Sequence, residues 1–133
     1  MPPITHLVAL PSSYVPGDAY GLGADGSLWQ LSRDRWTLLP PLPGDRIAAQ
    51  IASEATASRR VLYVRATDGT LWRLEHVRPD GWRALPALPG ARGAVSVSVA
   101  AGTGRATVLA VADDRTGWSY WGTTWRILPP IGV

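Results

Sequence analysis

The chain has 133 residues and a mass of 14.2 kDa, with 46% hydrophobic and 17% charged residues, which fits one globular domain. Its net charge is +3, all thirteen cationic residues are arginine, and it has no lysine, cysteine, asparagine or phenylalanine. These absences exclude a Schiff-base lysine, a P-loop, a thiolate nucleophile, a disulfide framework and a cysteine-based metal site. The joint absence of Lys, Asn and Phe indicates a GC-rich, bacterial coding sequence.

No apolar run approaches the roughly 20 residues that a membrane-spanning helix needs. The N-terminal residues 1–6 lack the basic stretch and apolar core of a signal peptide. We therefore expect a protein that acts in the cytoplasm or is released without a signal.

Three segments of the chain repeat one pattern, in which a first tryptophan follows a turn and a second tryptophan opens a tail ending in Leu-Pro or its equivalent. The first tryptophans are Trp29, Trp72 and Trp118, and the second are Trp36, Trp82 and Trp125. The first tryptophans are spaced by 43 and then 46 residues, and the second by 46 and then 43. The chain is therefore predicted to be a single domain of three repeats, at about 4–44, 45–90 and 91–133.

Each repeat is predicted to contain four short strands and no helix. The first strands are predicted at 4–10, 47–53 and 94–99, and the second at 19–23, 61–65 and 107–112, from their alternating or continuous apolar residues. Asp-Gly at 25–26 and 68–69 predicts a type I′ hairpin turn before the third strand. In the third repeat Arg115 replaces this glycine, so the sequence does not predict the turn type of that hairpin.

Two architectures fit three four-stranded repeats, a β-propeller and a β-trefoil monomer. The second strand at 61–64 is apolar on both faces, which suits a sheet packed between two neighbours. Small residues in the first strands, such as Ala48 and Ala94, suit the crowded centre of a propeller. The propeller is therefore the favoured all-β fold, with the trefoil as the alternative.

The segment 62–74, followed by Gly81-Trp82-Arg83-Ala84-Leu85, resembles a blade of the lectin-like β-propellers of the tectonin/tachylectin type and of related fucose-binding bacterial propellers. The first repeat is similar over 23–39. The resemblance implies non-enzymatic carbohydrate binding between blades. In the fucose-binding proteins an arginine, a carboxylate and an aromatic residue surround each sugar, but Glu54 and Glu75 occupy different places in their repeats.

Three blades do not close a propeller, which typically has four to eight. Two chains joined head to tail would close a ring of six blades with twofold symmetry. The sequence therefore predicts a homodimer, whereas the trefoil predicts a monomer of 14.2 kDa.

Tryptophan and arginine are the candidate ligand-binding residues. The first tryptophans are predicted to be core, because one turn-adjacent indole per repeat is what packing between blades requires. The second tryptophans head the outer strands and are expected to be less buried. The predicted ligand-binding set is Trp36, Trp82, Trp125, Arg46, Arg92 and Arg73, and Tyr120 with Trp121 is expected to form a local aromatic patch.

The other chemistries have weaker signals. Gly21 to Gly26 matches G-x-G-x-x-G, but a strand rather than a helix follows, so a hairpin turn is expected. No acid–base pair is visible, and His6 and His76 lack further metal ligands, so we expect no enzyme activity, cofactor or metal. The alternative function is a structural or protein-interaction propeller whose tryptophans are all core. Arginine-mediated binding of an anionic polymer such as nucleic acid ranks third, since no basic run occurs.

Overall fold

The computed structural model describes residues 2–9, 19–55, 60–75, 81–100, 107–121 and 123–129. These residues form β-strands joined by turns, which confirms the all-β prediction. The strands are β1 (Ile4–Ala9), β2 (Ala19–Gly23), β3 (Leu28–Ser32), β4 (Arg35–Leu38), β5 (Ala48–Ala55), β6 (Arg60–Ala66), β7 (Leu71–Glu75), β8 (Trp82–Ala84), β9 (Ala94–Ala100), β10 (Thr107–Ala112), β11 (Gly117–Trp121) and β12 (Thr124–Ile127). Single 3-10 turns occupy Pro43–Asp45 and Pro89–Ala91. In this described part of the chain, no helix has the length and apolar character needed to cross a membrane.

The strands form three antiparallel sheets of four strands each. The first sheet has the order β1-β2-β3-β4, the second β5-β6-β7-β8 and the third β9-β10-β11-β12. Every sheet is thus a simple meander made from one repeat of the sequence. The fourth strands end at Leu38, Ala84 and Ile127, directly before the leucine of the Leu-Pro pairs at 39–40, 85–86 and 128–129.

The hairpin turn before each third strand differs from the predicted type I′ turn. Gly26 and Gly69 have positive φ angles of 83° and 84°, but the aspartates before them do not. The Gly26 N–H donates to the Gly23 carbonyl at 3.0 Å, and the Gly23 N–H donates to the Ser27 carbonyl at 2.8 Å. This pattern is a type I turn followed by one left-handed residue, a three-residue loop that needs positive φ only once. The type I′ prediction was therefore wrong.

The third repeat keeps the same turn although it lacks the glycine. Arg115 takes the left-handed position with φ 68°, and its N–H donates to the Ala112 carbonyl at 2.9 Å. A two-residue loop in which both φ angles are positive occurs elsewhere, at Arg33 (52°) and Asp34 (63°) between β3 and β4. That pair has the backbone signature of the type I′ turn.

The sheets pack face to face in sequence, through two clusters of buried side chains. We call the contact of the first and second sheets the first interface, and that of the second and third sheets the second interface. Alternate residues of β6 point into each: Leu62 and Val64 into the first, Val61 and Tyr63 into the second. The prediction that this strand lies between two neighbours is confirmed. The inner strands also pack in order, β1 on β5 and β5 on β9, with no comparable packing of described residues between β1 and β9.

Candidate functional site

Each hairpin turn holds a tryptophan through a short chain of hydrogen bonds. The Asp68 carboxylate accepts from the Thr70 N–H (3.1 Å) and hydroxyl (2.5 Å), and the Thr70 hydroxyl accepts from the Trp72 indole N–H (2.9 Å). The same bonds link Asp25, Ser27 and Trp29 in the first sheet and Asp114, Thr116 and Trp118 in the third. The spacing Asp-x-Ser/Thr-x-Trp therefore orients one indole at the start of each third strand.

Arg46 braces the connection from the first sheet to the second. Its Nε donates to the Asp68 carboxylate at 3.0 Å and its Nη1 to the Pro43 carbonyl at 2.8 Å. The guanidinium carbon lies 4.9 Å from the centre of the Trp72 ring. An ion pair and a cation–π contact therefore hold the same arginine.

Arg92 repeats this arrangement one sheet later. Its Nε donates to Asp114 at 2.6 Å, its Nη1 donates to the Pro89 carbonyl, and its guanidinium carbon lies 5.3 Å from the centre of the Trp118 ring. In the first sheet the matching sequence position is Pro2, which has no guanidinium.

These contacts lower the pKa of the turn aspartates. The Arg92 guanidinium, followed by the Thr116 hydroxyl, lowers the pKa of Asp114 to about 2. The pKa of Asp68 is lowered mainly by the hydrogen bond from the Thr70 hydroxyl, with a smaller contribution from its arginine. The turn aspartates are therefore charged at neutral pH and are poor proton acceptors.

The second tryptophans join neighbouring sheets. The Trp82 indole N–H donates to the Pro40 carbonyl of the first sheet's tail at 2.8 Å, and the Trp125 N–H donates to the Pro86 carbonyl of the second sheet's tail at 2.7 Å. Both bonds run from a later sheet to the preceding one. Trp36 holds the same position in the first sheet, and its N–H meets no acceptor among the described residues.

Burial partly follows the sequence prediction. Trp72 and Trp118 are core, with 9% and 7% exposure, but Trp29 is only half-buried. Trp125 was expected to be less buried, as the head of an outer strand, but it is only 8% exposed, nearly the same as Trp118, because the preceding sheet covers it and the Tyr120 ring lies 5.1 Å away. Trp36 and Trp82 are half-buried.

A pocket of about 540 Å³ opens at one end of the second interface, and we call it the inter-sheet pocket. It is lined by the turn residues 68–72, the tail residues 84–88 and the connection 91–93, together with Arg46 and Asp113. Leu71, Leu85 and Leu88 are almost fully buried and form its apolar floor. The pocket thus combines apolar side chains with two guanidinium groups.

One sequence difference distinguishes the first and second interfaces next to the pocket. Ile47 precedes β5, and its Cγ2 would be 2.8 Å from a Cβ built on Gly26 in the neighbouring turn. Gly93 holds the same position before β9 and lies against the next turn glycine, Gly69, without a side chain. Ile47, which is 55% exposed, therefore has no equivalent side chain beside the pocket at the second interface.

The structure separates the predicted ligand-binding residues into two groups. Arg46 and Arg92 line the inter-sheet pocket, as does Trp72, which was predicted to be core only. Trp36, Trp82, Trp125 and Arg73 are not among its lining residues, and ligand binding by them stays a prediction. Sequence reasoning missed the pocket floor and Gly93. The aligned repeats do show that the third repeat has Gly93 at the position where the second has Ile47.

The remaining predicted residues contribute no chemistry that the structure shows. His76 and the side chain of Trp121 lie outside the described residues. His6 is exposed, with Nδ1 3.2 Å from the Thr5 hydroxyl. Among the described residues no three His, Cys, Asp or Glu side chains come close enough to hold a metal ion.

Comparison with protein-family models and with curated proteins found no match for the chain.

Proposed function

We propose that the protein is a non-enzymatic carbohydrate-binding module that holds a saccharide in the inter-sheet pocket. The observation that carries the proposal is the pocket itself: about 540 Å³, with an apolar floor and two arginines. Small-molecule sites commonly have volumes of about 300–1,000 Å³, mostly apolar walls and a few polar groups that fix orientation.

The chemistry of the pocket suits a sugar. Leu71, Leu85 and Trp72 offer apolar surface for the C–H face of a pyranose ring. Arg46 and Arg92 use Nε and Nη1 in the contacts described above, and within the described residues Nη2 of each makes no hydrogen bond. These fixed donors suit hydroxyl groups or a sugar carboxylate.

The carboxylates of the pocket support binding rather than hydrolysis. Asp68 accepts from Thr70 and Arg46, and Asp113 accepts from the Gly93 N–H at 3.2 Å. General acid catalysis by a carboxyl group needs a raised pKa, whereas the hydrogen bonds on Asp68 lower its pKa.

A filled-pocket variant tests the proposal directly. Gly93 does not have a positive φ, and a Cβ built there lies 3.5 Å from its nearest neighbour, so a side chain is sterically acceptable. Gly93→Ile should copy the first interface and lower saccharide affinity at least about tenfold, which is 1.4 kcal/mol. Gly93→Ala is the matched control and should retain binding within about twofold.

The ligand screen should cover neutral, acidic and sulfated glycans, with affinities then measured by tryptophan fluorescence and calorimetry. Loss of binding in Gly93→Ile but not Gly93→Ala supports the pocket. If no glycan binds the wild-type protein at high loading, or if Gly93→Ile binds as well as wild type, the proposal is wrong.

The second candidate is a structural or protein-interaction module without a small ligand. It is favoured because several candidate ligand-binding residues already make hydrogen bonds within the chain. The Trp82 and Trp125 N–H groups donate to proline carbonyls, and both bracing arginines donate to turn aspartates. A negative glycan screen with an intact fold would leave this candidate as the better one.

A further inference from the structure

The first and third sheets each have one face that the chain itself does not cover. The leading face is the outer face of the first sheet and carries Leu7, Trp29 and Trp36. The trailing face is the outer face of the third sheet, including its tail, and carries Val111 and Leu128. Both faces of the second sheet are covered, because it takes part in both interfaces.

The leading face exposes side chains that the other sheets bury. Leu7 is 61% exposed, whereas Ile51 and Val97, at the same position of the second and third sheets, are 7% and 2% exposed. Trp29 is half-buried, whereas Trp72 is 9% exposed. Each buried counterpart is covered by the preceding sheet, which the first sheet lacks.

The trailing face shows the complementary difference. Leu128 is 39% exposed, whereas Leu39 and Leu85, at the same position of the earlier tails, are 7% and 8% exposed. Val111 is 40% exposed, and its counterpart in the first sheet, Leu22, is 3% exposed. The buried counterparts are covered by the following sheet, which the third sheet lacks.

The hydrogen-bonding pattern between sheets predicts a donor on the leading face and an acceptor on the trailing face. Trp82 and Trp125 each donate to a proline carbonyl in the preceding tail. By the same rule Trp36 on the leading face requires an acceptor, and the third tail presents Pro129 at the position of Pro40 and Pro86. Pro129 is exposed, at the edge of the trailing face.

We propose that a second copy of this chain covers these faces, with the leading face of one copy packed on the trailing face of the other. The contact repeats the arrangement of the first and second interfaces. The Trp36 indole N–H of one copy donates to the Pro129 carbonyl of the other. Because the two faces differ, the contact is heterologous and forms a ring only if the rotation closes. Six is the only multiple of three among the four to eight blades typical of propellers, so two copies close the ring.

The mass of the wild-type protein in solution is the first test. Light scattering and sedimentation equilibrium at micromolar concentrations should give a single species of twice the 14.2 kDa chain mass. A monomer, the result that a trefoil requires, would overturn the proposal. An open-ended series of larger species would overturn the closed ring.

Charged substitutions then identify the faces. Leu7→Glu disables the leading face and Val111→Glu the trailing face, and both residues are exposed enough for the charge to be solvated in a folded monomer. Each variant alone should be monomeric, with the circular dichroism of wild type. An equimolar mixture should recover a dimer, because one intact leading face and one intact trailing face remain.

Leu38→Glu is the matched control. Leu38 is 59% exposed on the same sheet as Leu7, but its counterparts Ala84 and Ile127 are exposed as well, so no interface covers this position. The control should dimerise as wild type does. Dimerisation of Val111→Glu alone, or failure of the mixture to associate, would contradict a contact between unlike faces.

Discussion

The first and second interfaces are made by the same contacts but differ in the residue that lies beside the hairpin turn. At both, a tryptophan N–H donates to the carbonyl of a proline in the preceding tail. At both, an arginine pairs with a turn aspartate and lies over a tryptophan ring. At the first interface Ile47 packs against the turn, whereas at the second Gly93 lines the inter-sheet pocket.

This difference shows how a repeat protein separates stability from binding. The shared contacts recur at both interfaces, so they hold the sheets together without distinguishing one interface from the other. Gly93, which lines the pocket, occupies a position at which the repeats differ. Three predictions probe whether the two interfaces are equivalent in everything except that pocket.

The largest effect is expected from the buried indoles. Trp72→Ala and Trp118→Ala should each lower the free energy of unfolding by about 3–5 kcal/mol, the usual range for a buried aromatic side chain. Urea unfolding followed by circular dichroism measures both. A difference above about 2 kcal/mol between the two variants would show that the interfaces are not equivalent.

An intermediate effect is expected when the indole is replaced by a phenyl ring, which removes the N–H together with part of the ring. Trp82→Phe and Trp125→Phe leave the proline carbonyls without their donor, and each should lower the free energy of unfolding by about 1–3 kcal/mol. Trp36→Phe, measured in the monomeric Leu7→Glu background, is the control for the lost ring volume and should lower the free energy of unfolding by less than either of them. An equal loss in the control would mean that the N–H groups contribute nothing specific.

The smallest effect is expected from acid. Since the Arg92 guanidinium and the Thr116 hydroxyl lower the pKa of Asp114 to about 2 in the folded protein, its stabilising contribution is present above pH 4 and is lost as pH falls towards 2. Asp114→Asn should therefore reduce the decline in thermal unfolding temperature between pH 5 and pH 2. Asp25→Asn should reduce it less, because the hydrogen bond from Ser27 lowers the pKa of Asp25 without an arginine. An unchanged pH profile in Asp114→Asn would contradict this assignment.

Much of the fold could be predicted because the repeat fixes it. The spacing of Trp29, Trp72 and Trp118 defined three units, and each forms one four-stranded sheet. The apolar residues on both faces of β6 predicted a sheet between two neighbours. Local chemistry was sufficient here, since strand patterns depend on a period of two residues.

The prediction was less successful where the outcome depends on geometry. The Asp-Gly pair is compatible with two loop types, and one extra residue in the loop decides between them. The burial of Trp125 depends on the preceding sheet, which its own repeat does not reveal. Gly93 lines the pocket beside Gly69, which belongs to the preceding repeat, so this contact could not be predicted from the third repeat alone.

The connections between sheets have a consequence for protein engineering. Nine residues separate Leu38 from Ala48, and nine separate Ala84 from Ala94. A tandem fusion of two copies would therefore keep the spacing of the strands if nine residues separated Ile127 of one copy from Ile4 of the next.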